Sequence, residues 1–456
     1  MEDAGATRFF AVLALVVLAG FSLRVAYVVT VTRDDDHLYD ATYYELQARA
    51  IANGNGYTDP FVLLRDPDRH EPAADHPPLT VFALLPAAFV EDRDTSQVAM
   101  RLTMVVFGTA TIALVGLLAR RLATDHPGDR FGDRFGDAVG ITAAVLAALD
   151  PNLWMNDGLI MSETLSVLLT VAVLAMVYRV LRGGASWRWL LALGAVTGLG
   201  MLARAEFALY LPFLVVPAVW IGARGDRRGA LRASAIAIGA TVLVVTPWVA
   251  FNLSRFEDPT LISTNDGLAI AAANCPGTYG GSLLGWGDVF PPCAVARGDL
   301  EQSVYNSRNR DKGLRYMVDH VDRLPKVVAA RIGRAFSLYR VEQGAQFGVL
   351  EGRPEWATWL GTAVIWMLMP LSIVGGVVLR RRKVPIWPLV VPIVAVVAVI
   401  ALLSGGLARY RAVAEPSFVI LGAVGIVAIA ASLRNGTHRV DGDEVDAELQ
   451  ATPAAR

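Results

Sequence analysis

The sequence predicts an all-α, polytopic membrane protein, and two observations support this prediction. Hydrophobic residues make up 54% of the 456 residues and charged residues only 18%, against roughly 25% charge in an ordinary soluble domain. Several apolar stretches, most clearly 9–31 and 230–251, reach the about 20 residues that a helix needs to cross a bilayer. The net charge of -1 provides no global basic field, so no nucleic-acid partner is expected.

Arginine and lysine clusters in short loops set the predicted orientation. They fall at 120–134, 179–188, 224–232 and 380–383, and the positive-inside rule assigns such loops to the cytoplasm. Ten spans, with both termini inside, place every one of these clusters on the cytoplasmic side. The spans are predicted at 9–31, 98–121, 137–150, 160–182, 188–204, 207–223, 230–251, 357–379, 386–404 and 411–432. The apolar stretch 79–90 is too short to cross and is predicted to be a juxtamembrane helix at the outer interface.

These spans divide the chain into four predicted parts. Residues 1–251 form a transmembrane module that includes the external loop 32–97, and residues 252–356 form a large external segment after the seventh helix. Residues 357–433 form the C-terminal transmembrane helices, and the polar tail 434–456 is expected to be disordered and cytoplasmic. This organisation indicates a multi-pass protein of the plasma membrane whose functional side faces outward.

The chain has two cysteines, and both lie in the external segment. An oxidising compartment favours a disulfide between Cys275 and Cys293. The alternative is two unpaired thiols that share a loop.

A short helix predicted over 40–51 carries the first candidate site residues. Asp40, Tyr44 and Ala48 are spaced four apart and therefore share one helix face. Asp40 lies at the start of the helix, where the helix dipole favours negative charge, so it is a candidate catalytic base. A simple helix cap is the competing interpretation of Asp40. Tyr43 and Tyr44 are candidates for substrate contact.

Three further candidates lie near the outer membrane surface. His76, directly before Pro77 and Pro78, is a candidate phosphate contact or a structural histidine. Asp157 and Glu163 lie where the fourth span begins, and ionisable groups at such positions usually face a cavity or a partner. Both are catalytic candidates, although Asp157 also fits a turn before Gly158.

Positive charge on the outer side contradicts the orientation rule and invites an explanation. Arg204, Arg409 and Arg411 are such residues, and arginine offers a planar fork suited to phosphate oxygens. The alternative is internal pairing, of Arg204 with Glu206 or of Arg411 with Glu415. Carboxylates and arginines at one membrane face suit transfer from a phosphate-linked donor, because a carboxylate accepts the acceptor's proton while arginines stabilise the leaving phosphate.

Taken in order, these motifs resemble the GT-C superfold glycosyltransferases, in particular the family-39-like branch of protein O-mannosyltransferases and lipid A aminoarabinose transferases, as an actinobacterial-type member. The resemblance rests on Asp40 with Tyr44 and Ala48, Gly54 to Tyr57, Pro77-Pro78-Leu79, the segment 156–164 and Arg409-Tyr410-Arg411. It implies a GT-C fold and a hexosyl- or pentosyltransferase that takes sugar from a polyprenyl-phosphate-linked donor. The acceptor would be a glycan, lipid or protein of the cell envelope, and transfer would invert the anomeric centre with Asp40 as general base.

The same resemblance implies that no metal cofactor is needed. The weaker alternative is a divalent metal held by Asp34 and Asp36, as in the Asp-rich loop of oligosaccharyltransferases. Two other classes also compete with the transferase. A transporter or flippase of a lipid-linked sugar would carry charge through the membrane midplane, where only Arg24 is prominent, and a non-catalytic envelope-assembly protein would make the carboxylates dispensable.

Overall fold

The computed structural model describes residues 2–33, 40–124, 132–183 and 186–450, with no side-chain description at 2–4, 132–133 and 435–450. Within these residues the chain is helical, and the only β-pairing is an isolated bridge between Thr58 and Pro72. The first half contains α1 (Glu2–Tyr27), α2 (Asp40–Ala52), α3 (Pro60–Arg65), α4 (Leu79–Ala88), α5 (Arg93–Thr124), α6 (Gly132–Leu149), α7 (Pro151–Asp157), α8 (Glu163–Leu181) and α9 (Trp187–Ala203). The second half contains α10 (Val216–Gly222), α11 (Arg227–Leu253), α12 (Asp266–Ala273), α13 (Gln302–Asp319), α14 (Leu324–Ala335), α15 (Val341–Leu350), α16 (Glu355–Arg381), α17 (Trp387–Leu402) and α18 (Glu415–Gln450).

Seven helices of the described chain are long and apolar enough to cross a membrane, and the bent pair α6–α7 would add an eighth. α9 and α17 are shorter apolar helices at the fifth and ninth predicted spans. The ten predicted spans therefore each correspond to a helix or a helix pair, and α4, of 10 residues, is the short helix predicted at the interface. The predicted all-α polytopic fold is confirmed.

Successive spans alternate in direction, so the loops divide between two ends of the bundle. Contacts between the basic loops identify one end: Arg224 donates to the carbonyl of Arg182, 2.8 Å away, and Arg382 donates to the carbonyl of Ala123, 3.2 Å away. The other end, which we call the loop end, carries residues 33, 40–92, 150–163, 204 and 254–354, together with the short 3₁₀ segment Ala408–Ala414. The candidate site residues that belong to the described part of the chain lie at this loop end.

Glycines allow the most closely packed helices to touch through their backbones. At Gly375 of α16 and Gly425 of α18 a side chain would collide with the facing backbone, at Leu421 and Leu371 respectively. Small residues at such positions let transmembrane helices approach closely and pack by van der Waals contact. This close packing fixes the position of α18, and with it the 3₁₀ segment that precedes it.

Arg255, just after α11, anchors the loop that leads to His76. Its guanidinium donates to the carbonyl of Tyr57 over 2.6 Å and to the carbonyl of Ala73. The external segment holds the same stretch, since the side chain of Gln302 accepts from the amide of Ala74 over 2.7 Å. Because two separate segments hold residues 57–74, the following His76 projects from a rigid support.

Helices α12 to α15 build the external segment, which is closed by a disulfide between Cys275 and Cys293. The predicted pairing is therefore present. At the other end of the chain, α18 extends to Gln450 and enters the predicted tail 434–456. Residues 451–456 lie outside the described residues, and the expected disorder of the tail remains a prediction.

Candidate active site

Asp40 is the first residue of α2 and lies at the centre of the loop end. Its Oδ2 is 2.8 Å from Nη1 of Arg409, and its Oδ1 is 3.5 Å from Nε2 of His76. The side chain retains 25% exposure. The described contacts thus give Asp40 two cationic partners from distant parts of the chain while leaving it accessible.

The Asp40 carboxylate is held in its ionised form. Burial alone would raise its pKa, but the charges of Arg409 and His76 outweigh that effect and hold the pKa well below its usual range. The carboxylate is therefore ready to accept a hydrogen bond from a hydroxyl, although a strongly lowered pKa also makes it a weak base while both partners are in place.

His76 is held by the two tyrosines of α2. Its ring stacks on Tyr44 with 5.0 Å between ring centroids and meets Tyr43 edge-on at 5.2 Å. Both tyrosine side chains are buried. They therefore orient His76 towards Asp40, and their predicted contact with substrate remains a prediction.

The charge state of His76 depends on Asp40. Burial lowers the pKa of His76, whereas Asp40 and then Asp75, whose Oδ2 lies 3.9 Å away, raise it, and the net shift is upward. We expect the pKa of His76 to fall in Asp40→Asn and to fall less in Asp75→Asn. Side-chain NMR titration of His76 in the purified protein measures this; a larger effect of Asp75→Asn would contradict the geometry.

The same shift has a consequence for stability with a definite sign. Since the folded-state pKa of His76 is raised, its stabilising contribution is complete below the unfolded pKa of about 6.5 and is lost as the pH rises through the folded pKa. Unfolding of the wild-type protein should therefore become easier over that interval, and His76→Gln should remove this component. Thermal unfolding followed as a function of pH tests the expectation.

Arg204 and Arg409 approach the same aromatic ring. Their guanidinium carbons lie 5.7 and 5.4 Å from the ring centroid of Tyr410. Arg204 also pairs with Glu206 and lies 3.2 Å from Oε1 of Glu163. The predicted internal pair with Glu206 is thus present, and Arg204 also links α8 to the group around Asp40.

Glu163 begins α8 and is almost completely buried. One carboxylate oxygen contacts Arg204, while Oε2 has no hydrogen-bond partner among the described residues. A buried carboxylate oxygen without a partner is costly, so it marks a position where a ligand group or water is expected.

Two predicted site residues have structural partners instead. Both oxygens of Asp157 are occupied, because Oδ2 lies 2.5 Å from Nε of Arg24 and Oδ1 accepts from the hydroxyl of Thr164 over 2.8 Å. Asp157 therefore forms a buried ion pair, and its predicted catalytic role remains a prediction.

Arg411 is likewise a buried structural residue. Its Nε lies 2.5 Å from Glu415, Nη1 donates to the carbonyl of Ala335 over 2.7 Å, and Nη2 donates to Asn152 over 3.2 Å. This is the internal pair that was the alternative to phosphate binding. Because the guanidinium nitrogens of Arg411 already have partners, we propose Arg409 and Arg204, and not Arg411, as the arginines that bind the donor phosphate.

Glu351 was missed from the sequence. Its Oε1 lies 2.8 Å from the same Nη1 of Arg409 that contacts Asp40, and its Oε2 pairs with Arg353. Arg353 in turn donates to Asn156 over 3.0 Å. In the sequence, the only sign of this ion pair is that Glu351 and Arg353 stand on either side of one glycine shortly before α16.

Among the described residues, no three His, Cys, Asp or Glu side chains are grouped so that they would hold a metal ion. Asp34 and Asp36, the predicted alternative ligands, lie outside the described residues.

Comparison with known proteins identifies the fold. Residues 75–251 match the family model of dolichyl-phosphate-mannose-protein mannosyltransferases. The archaeal oligosaccharyltransferase AglB from Archaeoglobus fulgidus, solved with an inhibitory peptide and a dolichol-phosphate, superposes with a TM-score of 0.55 at 14% identity, covering 98% of this chain and 52% of that one. The chain has the GT-C fold. The GT-C fold that the sequence predicts is thereby confirmed.

Two other solved structures are similar to this chain. The A. fulgidus oligosaccharyltransferase solved with Zn and sulfate gives a TM-score of 0.51 at 13% identity, over 92% of this chain and 49% of that one. ArnT from Cupriavidus metallidurans, bound to undecaprenyl phosphate, gives 0.42 at 14% identity, over 94% and 78%. The chain thus spans about half the length of the archaeal oligosaccharyltransferases that it matches. No curated protein matches it by sequence.

Proposed function

We propose that this GT-C protein is a membrane glycosyltransferase that moves a sugar from a polyprenyl-phosphate donor to a cell-envelope acceptor on the outer face of the plasma membrane. The observation that carries the proposal is the pairing of Asp40 with Arg409, 2.8 Å apart, beside His76 and Arg204. The arrangement places an accessible carboxylate next to arginines at one end of a membrane bundle. The isoprenoid carrier named for one structural relative, a dolichol-phosphate, supports the donor class.

In the proposed reaction Asp40 accepts the proton of an acceptor hydroxyl. The hydroxyl oxygen attacks the anomeric carbon, the bond from that carbon to the phosphate oxygen breaks, and the electron pair leaves with the polyprenyl phosphate. Attack from the side opposite the leaving group inverts the anomeric centre. Arg409 and Arg204 stabilise the charge that develops on the phosphate.

Binding of the donor would also strengthen the base. Arg409 lowers the pKa of Asp40 in the free protein, so a donor phosphate that attracts Arg409 would weaken that pair and let the pKa rise towards its ordinary value. The Nε atom of Arg409 is buried without a hydrogen-bond partner among the described residues, which leaves it available to a phosphate oxygen. His76 would hold the second oxygen of Asp40 in position.

An apolar groove lies beside the segments that carry His76 and Arg204. Its volume is about 390 Å³, and its walls include Pro78 and Leu202, two residues from His76 and Arg204 respectively. Phe82 and Phe251 are partly exposed along it. Such a groove suits the polyprenyl chain of a donor whose phosphate rests against Arg204 and Arg409.

The proposal is tested by sugar release and transfer from radiolabelled polyprenyl-phosphate sugars, using purified protein in lipid bilayers. Turnover with at least one donor is expected. If no donor of a broad panel releases sugar but the protein accelerates the movement of these lipids between leaflets, the flippase alternative replaces the transferase proposal. If neither sugar release nor lipid movement occurs, the protein is better described as a non-catalytic envelope-assembly protein.

Chelation of divalent metals should leave this turnover unchanged. Both carboxylate oxygens of Asp40 face cationic side chains, which repel a metal ion and already supply positive charge to the site. The assay is repeated with EDTA and then with added Mg²⁺ or Mn²⁺. Loss of turnover with EDTA that a metal restores would move the site to Asp34 and Asp36.

A further inference from the structure

A second pocket adjoins the proposed active site through Arg409. It has a volume of about 70 Å³, several times the 10–15 Å³ of probe-occupied volume that one water requires. The pocket lies between α7, the α14–α15 connection and the 3₁₀ segment Ala408–Ala414. It has no lining residue in common with the apolar groove, so the two recesses are separate.

Positive charge dominates this pocket. Five arginines and two glutamates line it, and each glutamate is already paired with an arginine, Glu415 with Arg411 and Glu351 with Arg353 and Arg409. Among the described residues, Arg334 and Arg340 form no ion pair. Neither charge has a carboxylate partner at the pocket; the guanidinium carbons lie over aromatic rings, 4.9 Å from Trp286 for Arg334 and 5.5 Å from Tyr339 for Arg340.

Arg334 has unused hydrogen-bonding capacity in a buried position. Only 4% of the residue is exposed; Nε donates to the carbonyl of Leu284 over 2.7 Å and Nη2 to the carbonyl of Ser282 over 3.1 Å. Nη1 is buried and has no partner among the described residues. A buried donor without a partner is costly, and an anionic ligand would satisfy it.

The rim of the pocket is held in an uncommon backbone conformation. Ser337 and Arg340, both lining residues, have φ values of 54° and 48°. Non-glycine residues in this left-handed region are strained and concentrate at ligand-binding sites. The turn presents Arg340, which is exposed, at the mouth of the pocket.

We propose that this pocket binds a carboxylate or phosphate group on the acceptor, so that the enzyme selects acidic acceptors. The inference rests on the proposed transferase function only in assigning the ligand to the acceptor. We assign the ligand to the acceptor because the donor has its own place. The polyprenyl chain of the donor is proposed to lie in the apolar groove beside His76 and Arg204. The arginine-lined pocket reaches Arg409 but has no lining residue in common with that groove. Tyr339, beside Arg340, adds an aromatic surface suited to a sugar ring.

Isothermal titration of the full-length protein in phosphatidylcholine nanodiscs tests the pocket without turnover. The probes are glucuronate, inorganic phosphate and, as the neutral counterpart, glucose. Wild-type protein is expected to bind both anions and not glucose. Arg340→Gln should weaken anion binding about tenfold, the effect of losing one charge-assisted hydrogen bond, and Arg340→Lys should recover part of it.

Arg323→Gln is the matched control, because it removes an exposed arginine of the same external segment outside the pocket. It should bind glucuronate as the wild type does. The proposal that the pocket binds anions would be overturned if the wild type failed to bind glucuronate, or if wild type and Arg340→Gln bound it equally well.

Titration with polyprenyl phosphate separates the two possible sources of the anion. Arg340→Gln should bind polyprenyl phosphate as tightly as the wild type. A tenfold loss of affinity would show that the pocket binds the donor phosphate and would overturn the assignment to the acceptor. Failure of the transferase proposal would appear as absent turnover and would leave glucuronate binding unchanged, so the two failures are distinguishable.

Discussion

Replacing Asp40 by asparagine should lower the rate of sugar transfer by about 10²–10⁴-fold, the usual contribution of a general base. Asparagine keeps the size of the side chain but removes the charge that pairs with Arg409 and the oxygen that would accept the proton. The measurement is initial transfer rate with saturating donor, for wild type and variant in the same bilayers. Asp40→Glu should retain part of the rate, because it keeps a carboxylate.

Asp68→Asn is the control for this change, since it removes an exposed carboxylate from the same loop. Its rate should equal that of the wild type. The fold of Asp40→Asn should remain intact because Arg409 keeps its contact with Glu351 at 2.8 Å, and unchanged thermal unfolding would verify this. Near-normal transfer by a folded Asp40→Asn protein would remove Asp40 from the mechanism.

Asp157→Leu should destabilise the protein by about 3–5 kcal/mol, the cost of leaving a buried charge without its partner. Asp157 and Arg24 are both almost fully buried, and their atoms are 2.5 Å apart. The free energy of unfolding is measured by denaturant titration in micelles. The double variant Arg24→Met/Asp157→Leu should recover most of the loss, since it removes both charges.

Asp137→Leu provides the comparison for this experiment. Its pair with Arg120 lies at the basic end of the bundle, with side chains 29% and 25% exposed, and partly exposed pairs contribute only about 0–1 kcal/mol. Equal destabilisation by Asp137→Leu and Asp157→Leu, or no recovery in the double variant, would contradict the buried-pair interpretation.

The topology was predictable because its determinants are local. A span is recognised from the length of its own apolar stretch, and its direction from arginines in the adjacent loop, so α5, α11 and α16 could be placed without any tertiary contact. The short α4 was separated from the spans by its length and by the orientation of the basic residues Arg120 and Arg121 that follow. Even α6 and α7, bent by 53°, fall where one span and its following loop were expected.

The site was only partly predictable, because pairing between distant segments has no periodic signature. Asp40, His76 and Arg409 were each suspected from their own surroundings, and the structure brings them together. The choice between a ligand contact and an internal pair could not be made for Arg411, because it depends on Asn152 and Ala335, far away in the chain. The partner of Asp157 could not be predicted for the same reason, since Arg24 precedes it by 133 residues.

The long separation in sequence between Arg24 and Asp157 has a consequence for biosynthesis. The segment containing Arg24 is made first, and its counter-charge is made only after two further spans and their loops have left the ribosome. A charged side chain in the bilayer is costly on its own, and three backbone carbonyls that share its guanidinium include those of Ala147 and Ala148 in α6. We therefore expect the guanidinium of Arg24 to gain its full set of partners only after α6 and α7 have been inserted, so that the packing of the first helix is completed late in synthesis.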